Sequence, residues 1–312
     1  MKPMMDIERA DQPASQVAAL GFVGLGNMGG RMAKRLLSRN YQMSVYNRTS
    51  SKTGEFAALG AAVAKTPREL AAASDVILVC VTNDQAQAQV MFGEDGVLAG
   101  AREGSLIIDL STVSPAASRR VYQAAGEKGV AMIDAPVSGS TPQVEQGTLA
   151  IFVGGDEQAY QRSRPILAAL GQGIFYMGPS GMGATMKLVV NVMLGVGMQA
   201  LAEAITFGEK AGIERNTLLD ILGQTSVLTG GQKAKLANVR SGRYPEQFGL
   251  AMMYKDFGLI HDQAVESAVP MPATAVAQQI YKAAIEQGLQ GDFSIMIQFM
   301  QELAGSGGHH SH

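Results

Sequence analysis

The chain has 312 residues, of which 46% are apolar and 17% charged, and a formal net charge of -2. That length favours two domains over a single core, and the composition is that of a folded, soluble protein. So even a charge balance gives no overall attraction to nucleic acid or to an anionic membrane, and neither is an expected partner. The single cysteine, Cys80 in DVILVCV, cannot form an intrachain disulfide, which fits a reducing compartment and an expected cytoplasmic location.

Residues 1–17 open with MKPMMDIERADQPASQ, which holds three acidic residues and no apolar core. They read as a loose extension, neither a secretory signal nor a transit peptide. From Ala19 to Tyr176 short apolar runs alternate with helix-length segments: ALGFVG, MSVYN, DVILVCV, SLIIDLS, AMIDAPV, LAIFVGG and GIFYMG. This alternation predicts a mostly parallel sheet with crossover helices, an α/β domain over 18–179. Gly178, Pro179 and Ser180 then form a turn, with Ser180 a candidate cap for the helix behind it.

Beyond the turn the strand signal ends, and the apolar periodicity over 183–211, 215–223 and 271–288 predicts an all-helical domain over 180–304, entered through a long helix. Asn191, Gln199 and Glu203 interrupt the span 188–207, so it is no clean membrane segment. The long helix is apolar around most of its circumference, which implies burial by its own domain or by a second subunit, and a homodimer or homotetramer is expected. The last residues, 305–312, read as a tail or tag remnant that carries His309, His310 and His312. Only His261 is left for chemistry, so a histidine metal cluster is not expected and a Ser-His triad would rest on that one residue.

GFVGLGNMGG places Gly24, Gly26 and Gly29 in the G-x-G-x-x-G spacing, with Asn27 and Met28 between them, after a strand and before a helix. Gly24 permits the tight turn, Gly26 lets a pyrophosphate approach the backbone, and Gly29 allows helix to pack on strand. The helix N-terminus supplies N–H groups for phosphates. After the next strand an NAD site commonly has a carboxylate for the ribose 2'-hydroxyl; this chain has Asn47, Arg48 and Thr49, followed by Ser50 and Lys52. Arg48 can pair with a 2'-phosphate or stack on adenine, so NADP(H) is the expected cofactor. Three further loops follow strands: Val81, Thr82 and Asn83; LSTVSP with Thr112; and APVSGS with Ser138, Gly139 and Ser140. Thr112 reads equally as a cofactor contact or as a helix cap. The serine-glycine turn suits a substrate carboxylate or is a plain loop.

GMGATMKLVVN sets Lys187 and Asn191 one turn apart on the same helix face, flanked by Gly183, Ala184 and Gly195. A lysine in so apolar a setting either snorkels to solvent or works as an acid/base whose pKa burial and a neighbouring cation would lower.

Together these stretches resemble the β-hydroxyacid dehydrogenase family, the group of 3-hydroxyisobutyrate dehydrogenase, tartronate semialdehyde reductase and glyoxylate/succinic semialdehyde reductase. Four ordered motifs carry the resemblance: the glycine loop, DAPVSGS with GTL, GMGATMKLVVN and KDFGL. It implies a Rossmann-type N-terminal domain and an all-α C-terminal domain joined by a long helix. It also implies Lys187 as catalytic acid/base with Asn191 as its partner, and Ser138, Gly139 and Ser140 on the substrate carboxylate. Thr112 and Lys255 would contact cofactor or substrate, while Phe248 and Asp256 would line the pocket. NRT and Phe248 are similar to the NADPH-dependent semialdehyde reductases, and Ser140 departs from the SGG of many members. The expected activity is therefore hydride transfer between nicotinamide and a small carboxylate-bearing aldehyde or hydroxy acid, with no metal. Imine reduction is the alternative within enzymes, weakened because such relatives usually lack the lysine. A non-catalytic NADP(H)-binding protein is the alternative outside them.

Overall fold

The computed structural model describes residues 18–305; the N-terminal extension and the histidine tail lie outside the described residues. The chain divides into two compact units, Met1–Lys187 and Leu188–His312, and the division falls within one helix, Met182–Lys210.

The first unit is built on a nine-stranded sheet. Its strands are β1 (Leu20–Val23), β2 (Met43–Tyr46), β3 (Ala62–Val63), β4 (Val76–Val79), β5 (Leu106–Asp109), β6 (Ala131–Asp134), β7 (Val137–Ser138), β8 (Leu149–Gly155) and β9 (Gly171–Gly178). The order β3-β2-β1-β4-β5-β6 is parallel throughout. β8 then runs antiparallel to β6 and to β7, with β9 parallel to β8. Every predicted strand is present, and the two-residue β3 and β7 are added.

The central strands β1 and β4 are apolar at every position, and β5 and β6 at all but their last, because both faces of the sheet are covered. Successive side chains point to opposite faces, so Val76 and Leu78 join one core with Phe22, Leu106 and Ile108, while Ile77 and Val79 join another with Val23 and Ile107. Helices Asn27–Ser38 and Pro115–Gly126 are among those that close these layers.

The second unit is helical. Besides the rest of the long helix it contains Arg215–Gln224, Gly230–Ser241, Leu250–Glu266, Pro272–Glu286 and Met296–Leu303. Its core gathers Met198, Leu201, Ile205, Met253, Phe257, Tyr281 and Phe299. Phe257 and Tyr281 meet edge to face, their ring centroids 5.1 Å apart. The long helix is apolar enough to cross a bilayer by length and composition alone. It is also part of this core, and it buries the polar side chains of Asn191, Gln199 and Thr206.

One buried ion pair organises the loop ahead of Leu250–Glu266. Asp292 Oδ2 accepts hydrogen bonds from Lys235 Nζ (2.8 Å) and from the backbone N–H groups of Gln247 and Phe248 (both 3.1 Å). Its Oδ1 accepts from the Ser294 hydroxyl at 2.7 Å and the Ser294 N–H at 3.1 Å. Removing the carboxylate leaves the buried Lys235 ammonium with only the neutral Gln247 Oε1, at 3.0 Å, as acceptor, so Asp292→Ala should lower unfolding free energy by about 3 to 5 kcal/mol in urea titration. A loss below about 1 kcal/mol would show that Lys235 finds water or another acceptor.

Candidate active site

β1, β2, β4, β5 and β6 are parallel, so the segments that follow them emerge at one edge of the sheet. The glycine loop is shaped by contact with its neighbours. Gly24 has φ +97°, a region that favours glycine, and a Cβ there would collide with the Cys80 carbonyl oxygen. A Cβ on Gly29 would collide with the Gly24 carbonyl oxygen. Gly26 differs, because a Cβ there meets no protein atom within 4 Å. Protein packing does not demand a glycine at that position, whereas close approach of a phosphate does. Gly26 gives the helix Asn27–Ser38 no side-chain cap, and the helix has no acidic residue in its first turn. Its first N–H groups therefore suit an anion. A dinucleotide fits this donor set, with Asn27 and Met28 leading the helix.

Asn47 braces the loop. Its Oδ1 accepts the Leu25 N–H and its Nδ2 donates to the Thr49 carbonyl, both at 2.9 Å. Arg48, Thr49, Ser50 and Lys52 beyond it are all exposed, and among the described residues Arg48 has no ion-pair partner.

The next two loops are stapled to each other. Val81 N–H donates to Ser111 Oγ at 2.9 Å, while Thr82 is exposed. Asn83 Oδ1 caps helix Asp84–Met91 by accepting the Ala86 N–H at 2.8 Å. Asp84 in turn accepts the Ser114 N–H at 2.9 Å and its hydroxyl at 2.6 Å. Ser114, not Thr112, caps helix Pro115–Gly126. Beneath both loops the buried carboxylate of Asp109 accepts Gln87 Nε2 at 2.6 Å and Ser111 N–H at 3.0 Å. Burial pushes its pKa up to about 6, against those hydrogen bonds. Sequence reading passed over Asp109, Gln87, Ser111 and Asp84. The available signal was a carboxylate ending an otherwise apolar strand, LIID.

β6 ends in the same way, with Asp134. Its Oδ1 accepts the Gly181 N–H at 2.7 Å and its Oδ2 the Ala184 N–H at 2.8 Å. Asp134 thus performs the capping expected of Ser180, whose hydroxyl oxygen is buried without a hydrogen-bond partner. Burial raises the Asp134 pKa, opposed by these two N–H groups. In the turn that follows, Gly139 has φ +136° and Ser138 ends β7. Ser140 is half-buried at the N-terminus of helix Thr141–Gln146. The Ser140 N–H and hydroxyl both donate to Gln143 Oε1, at 2.9 and 2.8 Å. TPQVEQ is accordingly a capped helix with proline in its first turn.

On the long helix Lys187 is 8% exposed and Asn191 0%. Asn191 Nδ2 donates to Asp256 Oδ2 at 2.6 Å. A carboxylate only accepts, so this bond fixes which end of the amide is which, and Asn191 Oδ1 is left buried with no hydrogen-bond partner. Lys255 Nζ lies 2.6 Å from Asp256 Oδ1. Three residues separated by up to 65 positions are thus brought together, and Gly195 makes room for the Phe257 ring beside them, since a Cβ there would lie 2.5 Å from Phe257 Cζ. Phe248 is half-buried in the second unit, its ring edge-on to Phe293 at 5.6 Å.

Two family models cover nearly all the described residues. The NAD-binding domain of 6-phosphogluconate dehydrogenase matches 19–178, and the model described as NAD-binding of NADP-dependent 3-hydroxyisobutyrate dehydrogenase matches 181–300. Among curated relatives, 2-(hydroxymethyl)glutarate dehydrogenase of Eubacterium barkeri is 35% identical, over 92% of this chain and 96% of its own. Glyoxylate/succinic semialdehyde reductase 1 of Arabidopsis thaliana is 36% identical, over 89% and 97%. The structure of Mycobacterium tuberculosis 3-hydroxyisobutyrate dehydrogenase with L-serine superposes with TM-score 0.83 at 28% identity, covering 92% of this chain and 100% of that one. These relations define a nicotinamide-dependent oxidoreductase acting on CH–OH groups. The chain belongs to the β-hydroxyacid dehydrogenase family.

Asp109 carries a pH signature. Its folded pKa of about 6 lies above the ordinary 3.8, so the stability it contributes is complete below pH 3.8 and is lost as pH rises through about 6. Measured against Asp109→Asn by urea unfolding, the wild type should lose about 3 kcal/mol of relative stability between pH 3 and pH 7. A flat difference would place the charge of Asp109 in a better-hydrated setting.

Proposed function

We propose that this chain is an NADP(H)-dependent reductase of small carboxylate-bearing aldehydes or ketones, working reversibly as a 3- or 4-hydroxyacid dehydrogenase. The observation that carries the reading is Asn191. Its amide is pinned through Nδ2, so an unpartnered acceptor is presented in a buried setting one turn from a buried lysine. An orphaned buried oxygen costs about 1 to 3 kcal/mol, and a ligand hydroxyl or ammonium would recover that cost.

Glycines 24, 26 and 29 with the N-terminus of helix Asn27–Ser38 hold the pyrophosphate, and Arg48, Thr49, Ser50 and Lys52 hold the 2'-phosphate. Support for NADP(H) is the absence of any carboxylate from 47–52 and the exposure of Arg48. Val81, Thr82, Asn83 and Thr112 complete the cofactor-facing edge. When bound, the nicotinamide supplies hydride to the carbonyl carbon or takes it from the carbinol. Lys187 Nζ donates a proton to the carbonyl oxygen in reduction and recovers it in oxidation. Asn191 Oδ1 orients the substrate hydroxyl or the amine. Ser138, the Gly139 N–H and Ser140 receive the carboxylate, Lys255 adds positive charge, and Phe248 and Asp256 bound the substrate. The names of the Arabidopsis and Eubacterium relatives, a semialdehyde reductase and a hydroxymethylglutarate dehydrogenase, support a carboxylate substrate. A homodimer or homotetramer is part of the reading, supported by Val189, Met193 and Phe207 on the long helix, 52%, 75% and 76% exposed.

The test is NADPH consumption with glyoxylate, succinic semialdehyde, methylmalonate semialdehyde and tartronate semialdehyde, with NADH and a cyclic imine in parallel. Turnover of a carboxylate-bearing aldehyde with NADPH is expected. Turnover of the imine alone would contradict the role given to Lys187, and binding of NADPH without turnover of anything would make the chain a binding protein. Arg48→Ala should weaken NADPH by roughly 10- to 100-fold and leave NADH little changed; equal losses would remove the 2'-phosphate assignment. Lys187→Ala should lower kcat by roughly 100- to 10,000-fold with NADPH affinity retained.

A further inference from the structure

The long helix begins without a cap of its own. No acidic residue stands in its first turn, and the Ser180 hydroxyl makes no hydrogen bond. The two N–H groups at its start, Gly181 and Ala184, are taken by the two oxygens of Asp134, about fifty positions earlier in the chain. Space for this carboxylate is built in. A Cβ on Gly154 would lie 2.8 Å from both Asp134 oxygens, and one on Gly183 would lie 2.8 Å from Oδ2 and would collide with the Phe152 carbonyl oxygen. Two strands and the helix start thus meet around one side chain, all within the first unit. Asp134 is 2% exposed, and Asp134↔Gly154 is a register pair of β6 and β8.

Two consequences run from this side chain in opposite directions along the chain. Four residues after it comes Ser138, the start of the turn assigned to the substrate carboxylate. Three residues after Ala184 on the helix comes Lys187. Gly183 and Ala184 are buried, so the first turn of the helix has no slack against the sheet, and a shift at its start passes directly to the lysine one turn on.

We propose that Asp134 is the positioning residue of the reaction: its carboxylate sets the axial and rotational position of the helix start and thereby places Lys187 Nζ for proton transfer. The proposal rests on the acid/base reading of Lys187. Asp134 itself touches neither substrate nor cofactor in this account. Its two acceptor oxygens are the functional feature, because two N–H groups must both be received.

Asp134→Asn keeps the shape but exchanges one acceptor for a donor that faces a backbone N–H. It should lower kcat roughly 10- to 100-fold, the scale of a misplacement of about 1 Å, while NADPH affinity stays within about twofold. A double-mutant cycle separates positioning from general structure, with rates measured on the substrate that the aldehyde panel identifies. In a Lys187→Ala background, Asp134→Asn should change the residual rate by less than about twofold, because no lysine remains to be misplaced. A loss in that background as large as in the wild type would overturn the proposal and leave Lys187 as the acid/base. A near-normal rate for Lys187→Ala alone would overturn both. Should Asp134→Asn fail to fold, Gly183→Ala approaches the same contact from the helix side, since its methyl presses on Asp134 Oδ2 and on the Phe152 carbonyl while the charge remains. It should show the same lysine-dependent loss of kcat, and an unchanged kcat would count against the proposal.

Discussion

A helix of 29 residues that opens onto a sheet must have its free N–H groups satisfied where it starts, and here a single buried carboxylate meets that need. The constraint reaches beyond capping. Asp134 is costly to bury, and its raised pKa reflects the cost of desolvation. Both oxygens receive short hydrogen bonds that offset it, and Gly154 and Gly183 exist without side chains so that they can. Replacing either glycine would move the helix start off the sheet, and with it the lysine one turn later.

The same device recurs along the carboxyl edge of the sheet, where loops meant for a ligand would otherwise be mobile. Asn47 fastens the glycine loop through the Leu25 N–H, and Asp84 fastens the loop at Ser114. Asp109 with Ser111 fastens the loop at Val81. Each staple spends a polar side chain on backbone N–H groups from a neighbouring segment, and orientation is gained before any ligand arrives. In the second unit Asp292 does this for the segment that carries Phe248, while Asp256 holds a side chain instead, the Asn191 amide through Nδ2.

How far these features can be read from sequence follows from their range. Seven apolar runs foretold seven strands, because burial on both faces imposes near-continuous apolarity on strands such as β1, β4 and β5, and the apolar periodicity beyond the turn at Ser180 foretold the helical second half. The two-residue strands β3 and β7 carry no period to detect, and the antiparallel direction of β8 is invisible because LAIFVGG is equally apolar in either sense. Local capping was legible in principle. Ser114 before Pro115 is a serine cap ahead of proline, yet the cap was sought two residues earlier, at Thr112. Ser180 was the local choice for the long helix, and no local rule could have named a carboxylate about fifty positions away. Asn47 was legible as a residue at the end of the second strand, but not its two bonds to the backbone, at Leu25 and Thr49, the first of which lies 22 positions away. Asp256 entered only through resemblance, and its partnership with Asn191 spans 65 positions of sequence.

The proposed reaction is hydride transfer between nicotinamide and the carbonyl carbon of a small acid. Its most direct test is a single turnover with enzyme in excess, NADPH deuterated at the transferable C4 position and succinic semialdehyde, the product being read by mass spectrometry and NMR. One deuterium on the former carbonyl carbon is the predicted result. Bound NADPH with no labelled product from this or any other carboxylate-bearing aldehyde would rule that reaction out.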